Sequence, residues 1–338
     1  MSAIAVEALG RGRGLLDPAL RTAVDRLDPH TRLVTSYHLG WCDEQGRPLA
    51  ADTGKAVRPG LVFLASEAVG GSAAEVVPGA VAVELVHNFS LVHDDLMDRD
   101  TERRHRRTVW SIWGDPTAVL VGDAMLSLAH EVLDEADSPY ALAADKALTV
   151  ATRELIRGQV LDVAFEQRDD VGLAECIDMA AGKTGALLGV SAELGAVLAG
   201  AGADATEAFR CFGNELGIAF QLVDDLLGIW GWPERTGKPV FSDLRSRKKT
   251  MPVVHALEYG GAAGRELAAW LADPRDPDDS ELRRAADLVD RAGGRDWARD
   301  EARRRITVAG AALDGLSLEP VARAQLDELA RFIVERDL

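Results

Sequence analysis

Apolar residues recur every third or fourth position from residue 17 to the end of the chain, the spacing that lines one face of an α-helix. Helix-stopping residues interrupt this pattern near Gly70-Gly71, Asp115-Pro116, Ser138-Pro139, Gly200 to Gly202, Trp232 to Asp243, Gly260-Gly261 and in "DPRDPDDS" at 273–280. Runs of β-branched residues bounded by tight turns, the mark of strands, are scarce. The pattern predicts an all-α chain. No Gly/Ser- or Pro-rich linker is long enough to separate domains, so the expectation is one helical domain over residues 1–338. Amphipathic segments such as "ELRRAADLVDRA", in the 280–338 region, are expected to pack back onto it.

Composition narrows the function. Apolar residues make up 47% of the chain, enough for a sizeable core, while 38 basic against 55 acidic side chains leave a formal charge of −17. Such a charge repels nucleic acid and anionic lipid and favours cationic partners. Cys42, Cys176 and Cys211 are odd in number and lack metal-ligand spacing, which reads as reduced core thiols of a cytoplasmic protein. No stretch of about 18 apolar residues occurs, so no membrane insertion is expected.

Two aspartate pairs carry the chemistry. "LVHDDLMDRD", residues 91–100, crowds four aspartates at the end of an apolar segment, and "QLVDDLLG" repeats the arrangement 130 positions later. Two carboxylates about 4 Å apart repel by roughly 4 kcal/mol at an effective dielectric of about 20, so a cation belongs there. Asp94 and Asp98 are four apart and share a helix face. Their hard oxygens suit Mg²⁺, which keeps waters and completes its shell with substrate phosphates. A solvated acidic helix end has the same sequence, so the motif's weight comes from its company. If Asp224 and Asp225 face the first pair across a cavity, several Mg²⁺ ions could gather around one diphosphate.

The company is basic. Lys55 and Arg58 are three apart at a helix start with Pro59 in the first turn, an anion-favouring end. Arg99, Arg103, Arg104, Arg106 and Arg107 follow the first acidic cluster, and guanidinium forks match phosphate oxygens. His87 lies two turns before Asp94 on the same stripe. "AAGKTGALL" is not a P-loop, because Ile177 stands where the first glycine belongs, yet Lys183 could still reach a phosphate. Lys238, Arg247, Lys248 and Lys249 suit a flexible lid over an anionic ligand. For each run the competing view is an ordinary solvated face.

Together, "GKAVRP", "VELVHNFSLVHDDLMD", "RRHRRTVW", "GDAMLSLA", "GQVLD", "KTGAL", "FQLVDD", "TGKP" and "SDLRSRKKTMP" resemble, in order, the blocks of the trans-isoprenyl diphosphate synthase family over about residues 50–260. The resemblance implies a single-domain bundle of antiparallel helices around a deep apolar cavity, normally a homodimer, that joins isopentenyl diphosphate to an allylic diphosphate. It implies that Asp94, Asp95 and Asp98 bind two Mg²⁺ ions, and Asp224 with Asp225 a third. Lys55, Arg58, His87 and Arg104 match positions that hold isopentenyl diphosphate; Arg103, Lys183 and Lys238 match those that grip the allylic diphosphate, and Lys248 falls in the substrate-binding block after them. Thr184 and Gln221 match groups that steady the developing cation, with Phe220 keeping water away.

Three positions depart from the family's pattern. Gly228 replaces the last aspartate of the second motif, Arg107 stands at a usual proline, and Arg247 at a usual glycine. Phe89, five before Asp94, with no two-residue insertion in the first motif, implies a floor under the growing tail and a geranylgeranyl product, with farnesyl second. A class I terpene cyclase uses the same Mg²⁺-diphosphate parts but needs no second diphosphate pocket, so Lys55, Arg58 and His87 argue for condensation. A weakly catalytic partner subunit is the third reading, prompted by Gly228.

Overall fold

A computed structural model describes residues 3–49, 51, 56–231 and 240–334. The chain runs through α1 (Ala3–Val24), α2 (Pro29–His38), α3 (Val57–Ala68) and α4 (Val77–Met97) into two short strands, β1 (Glu102–Arg103) and β2 (Arg106–Arg107). It continues through α5 (Val109–Trp113), α6 (Asp115–Asp134), α7 (Ala141–Glu166), α8 (Leu173–Ala180), a π-helical turn (Ala181–Gly185), α9 (Ala186–Leu198) and α10 (Ala203–Trp230). Then follow α11 (Ser242–Arg245), α12 (Met251–Tyr259), α13 (Gly261–Leu271), α14 (Asp279–Arg291), α15 (Gly294–Ala312) and α16 (Pro320–Val334). The architecture is all-α, as the periodicity predicts. Most of the expected interruptions fall between helices or at a helix start; that at 232–243 lies largely outside the described residues. Among the described residues, no helix is long and apolar enough to cross a membrane.

The described residues group into two compact units. The first draws on Met1–Thr152, Val190–Arg210 and Leu316–Glu328, the second on Arg153–Gly189, Cys211–Gly315 and Leu329–Leu338.

In the first unit α4 is the central helix, with α1, α3 and α6 packed on it. It is apolar nearly all round, and Val81, Val83, Leu85, Val86 and Val92 are each at most 1% exposed. A helix so patterned can only be buried. Asp28 caps α2 by accepting from the backbone N–H of His30 and Thr31, while Pro29 supplies the first helical residue. The β1–β2 hairpin is the one strand pairing between named elements, Glu102 opposite Arg107 and Arg103 opposite Arg106. Its two turn residues, Arg104 and His105, both have positive φ (51° and 60°), the geometry that matches strand twist in two-residue hairpins. Glycine or asparagine usually fills such positions, which is why the arginine run gives no turn signal.

In the second unit α14 starts at a capping box: Asp278 accepts from Ser280 and Glu281 N–H, and Glu281 accepts from Asp278 N–H. Its apolar face, Leu282, Ala285, Leu288 and Val289, is fully buried against Ile229, Leu244, Val253 and Leu267. "ELRRAADLVDRA" therefore packs back as its amphipathic pattern predicts.

Candidate functional site

The first unit gathers one set of polar groups around the ends of α3 and α4. Arg58 sits in the first turn of α3, and its Nη1 lies 3.2 Å from Nε2 of His87 on α4. Burial, then the charges of Arg58, Arg104 and Arg103, hold the His87 imidazole well below its ordinary pKa, so it is neutral and can accept from the guanidinium. His38, at the end of α2, is pushed down to about 3 by burial and by Arg103 and Arg104. Burial raises the pKa of Glu84, one turn before His87, and its carboxylate takes Nδ2 of Asn88 at 3.1 Å. The charges that depress His87 and His38 place Arg58, Arg103 and Arg104 close to two neutral imidazoles, the residue types that suit a multiply charged anion.

The first acidic motif divides by helix geometry. Asp94 is half-buried, Asp98 is the exposed residue that caps the C-terminus of α4, and Asp98 N–H donates to Asp94 O at 2.8 Å. Successive residues on a helix point about 100° apart. Asp95 accordingly turns inward, where it is 2% exposed and Oδ1 accepts from Nε and Nη2 of Arg103, each at 2.8 Å. Burial lifts Asp95 to about 6 against the pull of Arg103. Phe89 is 5% exposed, and its ring meets that of His93 edge-on, centroids 5.3 Å apart.

The second unit holds the second set. Lys183 and Thr184 lie on the π-helical turn, a distortion frequent at functional sites. The turn fits closely because a Cβ on Gly158 would meet Lys183 N at 2.1 Å. Lys183 Nζ lies 2.6 Å from Oδ2 of Asp162, and Lys248 Nζ 3.5 Å from the same oxygen. Burial alone raises the pKa of Asp162, but the two lysines outweigh it and hold the carboxyl below its usual range. Thr184 Oγ1 donates to Gln221 Oε1 at 2.8 Å, Gln221 Nε2 donates to Asp225 Oδ1 at 2.8 Å, and Met251 N–H donates to Asp225 Oδ2 at 2.9 Å. This chain fixes which way the Gln221 amide points. Burial lifts Asp225 to about 7. Asp224 and Phe220 are half-buried on α10.

Several expectations change. Asp95 and Asp225, expected as metal ligands beside Asp94 and Asp224, have their carboxylates engaged, Asp95 by Arg103 and Asp225 by Gln221 and Met251. Of the arginine run, Arg99 pairs with Asp115 at 2.9 Å, Arg106 donates to the carbonyls of Tyr37 and Cys42, and Arg107 to that of Ser111. Those three hold their own stretch of backbone, while Arg103 pairs with Asp95. Arg247 donates to the carbonyls of Trp270, Leu271 and Arg275, and Lys249 to that of Phe165, so both belong to the packed body and not to a lid. Lys55 and Lys238 lie outside the described residues.

Sequence reasoning singled out neither Asp162 nor Gln159. Gln159 is 8% exposed, and neither atom of its amide has a hydrogen-bond partner among the described residues. An unpaired buried amide costs on the order of 1–3 kcal/mol, so a polar guest would be welcome there. Their signal is a glutamine and an aspartate within α7, in "GQVLD". Among the described residues, no three His, Cys, Asp or Glu side chains cluster as a metal cage. Asp94 and Asp98 in the first unit, and Asp224 in the second, are each hard oxygen donors of the kind that suit a cation taking most of its oxygens from water and phosphate.

A family model described as polyprenyl synthetase matches residues 40–289. The chain is 58% identical over 331 residues to a (2E,6E)-farnesyl diphosphate synthase of Mycobacterium tuberculosis, covering 97% of this chain and 92% of that protein. It is 42% identical over 321 residues to a geranylgeranyl diphosphate synthase of the same organism, covering 94% and 92%. The crystal structure of a polyprenyl synthetase from Streptomyces coelicolor A3(2) superposes with a TM-score of 0.93 at 50% identity, covering 97% of this chain and 99% of that one.

Proposed function

We propose, from the premise that this chain belongs to the polyprenyl synthetase family of trans-prenyltransferases, that it joins isopentenyl diphosphate to an allylic diphosphate and stops at a short prenyl diphosphate. Its all-α architecture is the isoprenoid synthase fold. In the reaction the allylic C–O bond breaks, pyrophosphate departs, the isopentenyl double bond attacks the allylic cation, and a proton is lost.

The observation that carries condensation, as opposed to cyclisation, is the Arg58–His87 pair with Arg104 nearby. It supports a pocket for a second diphosphate, which a cyclase does not need. Arg58 and Arg104 hold isopentenyl diphosphate, and neutral His87 fixes the Arg58 fork. Lys183 and Lys248 grip the allylic diphosphate. Thr184 and Gln221 present fixed dipoles to the developing cation without reorganising, a preorganisation that lowers the barrier. Asp94, Asp98 and Asp224 would hold magnesium, which neutralises the leaving diphosphate when bound.

The product assigned is geranylgeranyl diphosphate, because Phe89 lies about 7.5 Å along α4 from Asp94 and is buried, as a floor must be. A fifteen-carbon product is the second reading, supported by the 58% identical relative named as a farnesyl diphosphate synthase. A homodimer is supported by exposed apolar side chains, Leu120 (66%) and Leu142 (63%) in the first unit and Val160 (62%) in the second.

The test is a split in kinetic constants. Arg58→Ala should raise KM for isopentenyl diphosphate at least tenfold, since a charge-assisted contact is worth about 1.5–3 kcal/mol, and leave KM for the allylic substrate within about twofold. Equal effects on both substrates would count against two separate diphosphate pockets.

A further inference from the structure

The second acidic motif, Asp224-Asp225-Leu226-Leu227-Gly228, carries no carboxylate four residues after Asp224, the position one turn along the same face of α10. The structure fills that place from another segment. A Cβ built on Gly228 would stand 2.0 Å from Oδ2 of Asp243, 2.4 Å from its Cγ and 2.8 Å from Oδ1. The Asp243 carboxylate therefore lies where a side chain at 228 would begin.

The segment that delivers it is pinned. Ser242 Oγ lies 3.3 Å from Gly228 O and 3.2 Å from Asp243 Oδ1, which ties the two residues to each other. Lys248 N–H donates to Asp243 O at 2.8 Å. Next to Asp243, Leu244 is fully buried among Ile229, Val253 and Leu288. Three residues further, the Arg247 guanidinium reaches three backbone carbonyls. Phe241 takes a left-handed conformation (φ 64°) to turn the chain into α11, a strain that surrounding contacts must sustain.

We propose that Asp243 supplies the third carboxylate of the second acidic motif, and that Gly228 is a positioning residue whose missing side chain seats it. The inference rests on the magnesium-diphosphate reading above and extends it. The glycine is then no loss of a ligand but the condition for one arriving from α11. Restoring the aspartate at 228 should harm the site, because its Cβ and the Asp243 carboxylate claim one volume.

The test titrates inorganic pyrophosphate, with magnesium present, into the full-length protein by calorimetry, and records thermal unfolding alongside. The variants are Asp243→Asn, Gly228→Asp and the double variant Gly228→Asp/Asp243→Gly. Asp243→Asn, which keeps shape and loses charge, should weaken magnesium-dependent binding roughly tenfold or more, the usual effect of removing one partner at a metal site, with an unchanged unfolding midpoint. Gly228→Asp should weaken it as well, and the double variant should recover most of the loss by moving the carboxylate onto α10. Wild-type binding by Asp243→Asn, tighter binding by Gly228→Asp, or no recovery in the double variant would each overturn the inference. Should Gly228→Asp fail to fold, Asp243→Asn decides alone. A wild type that binds magnesium and pyrophosphate through Asp243 yet condenses nothing would sink the proposed reaction and leave this inference standing. Condensation with an indifferent Asp243→Asn would do the reverse.

Discussion

Asp162 holds two lysines with one oxygen: its Oδ2 is 2.6 Å from Nζ of Lys183 and 3.5 Å from Nζ of Lys248. Asp162 is 8% exposed, so its charge is little screened. Asp162→Asn leaves two nearby ammonium groups to repel. Breaking a buried pair from one side costs about 3 kcal/mol, and the expected outcome is a lower unfolding temperature with kcat/KM for the allylic diphosphate reduced about tenfold or more. Melting curves and steady-state kinetics check both; a variant indistinguishable from wild type in each would refute the role.

Gly158 is glycine because Lys183 N lies 2.1 Å from where its Cβ would be. The obstacle is backbone, which cannot swing aside as a flexible side chain does. Gly158→Ala should shift the π-helical turn, cost about 1–3 kcal/mol of stability and reduce kcat on the order of a hundredfold through misplacement of Lys183 and Thr184. Full activity in that variant would show that the close approach has no catalytic consequence.

His38 makes the fold sensitive to acid. The unfolded chain takes up a proton on this side chain near pH 6.5, whereas the folded chain does so only near pH 3. Acid therefore favours the unfolded state: the stability gained by keeping this imidazole neutral is full above pH 6.5 and is lost progressively as pH falls towards 3. His38→Gln should match the wild type in relative stability at pH 8 and gain on it steadily between pH 6.5 and pH 4. Parallel curves of unfolding temperature against pH would contradict the assignment.

Phe89 is the proposed floor of the chain-length pocket. Phe89→Ala should lengthen the product by one or more isoprene units while turnover stays within about tenfold, even though emptying a buried aromatic site costs about 3–5 kcal/mol of stability. Product sizing by chromatography reads it directly, and an unchanged length would remove the floor.

Much of this was legible in the sequence, for physical reasons that differ from residue to residue. The helices follow from apolar periodicity, and the breaks from Gly, Pro and Asp at their ends. Asp94, Asp98 and Asp224 stand out because charge at the end of an apolar segment needs a cation. Adjacency in sequence does not tell which way Asp95 and Asp225 point: a neighbour on a helix is turned about 100° away, and here both carboxylates are buried and hydrogen-bonded within the fold. Arg106 and Arg247 look like anion ligands in a basic run, but a guanidinium with five donors serves as well to gather carbonyls from distant loops. No local pattern announces that. The hairpin at Arg104 and His105 and the π-helical turn at Lys183 were also invisible, because tertiary contacts, not local propensity, hold the backbone there.

The central claim is that two diphosphates meet in one condensation. Its most direct measurement supplies the purified full-length protein with Mg²⁺, isopentenyl diphosphate and in turn the five-, ten- and fifteen-carbon allylic diphosphates, then sizes the products. The account predicts a linear twenty-carbon prenyl diphosphate formed only when isopentenyl diphosphate is present and abolished by chelating the metal. A cyclic hydrocarbon made from an allylic diphosphate alone, or no isopentenyl carbon in any product, would contradict it.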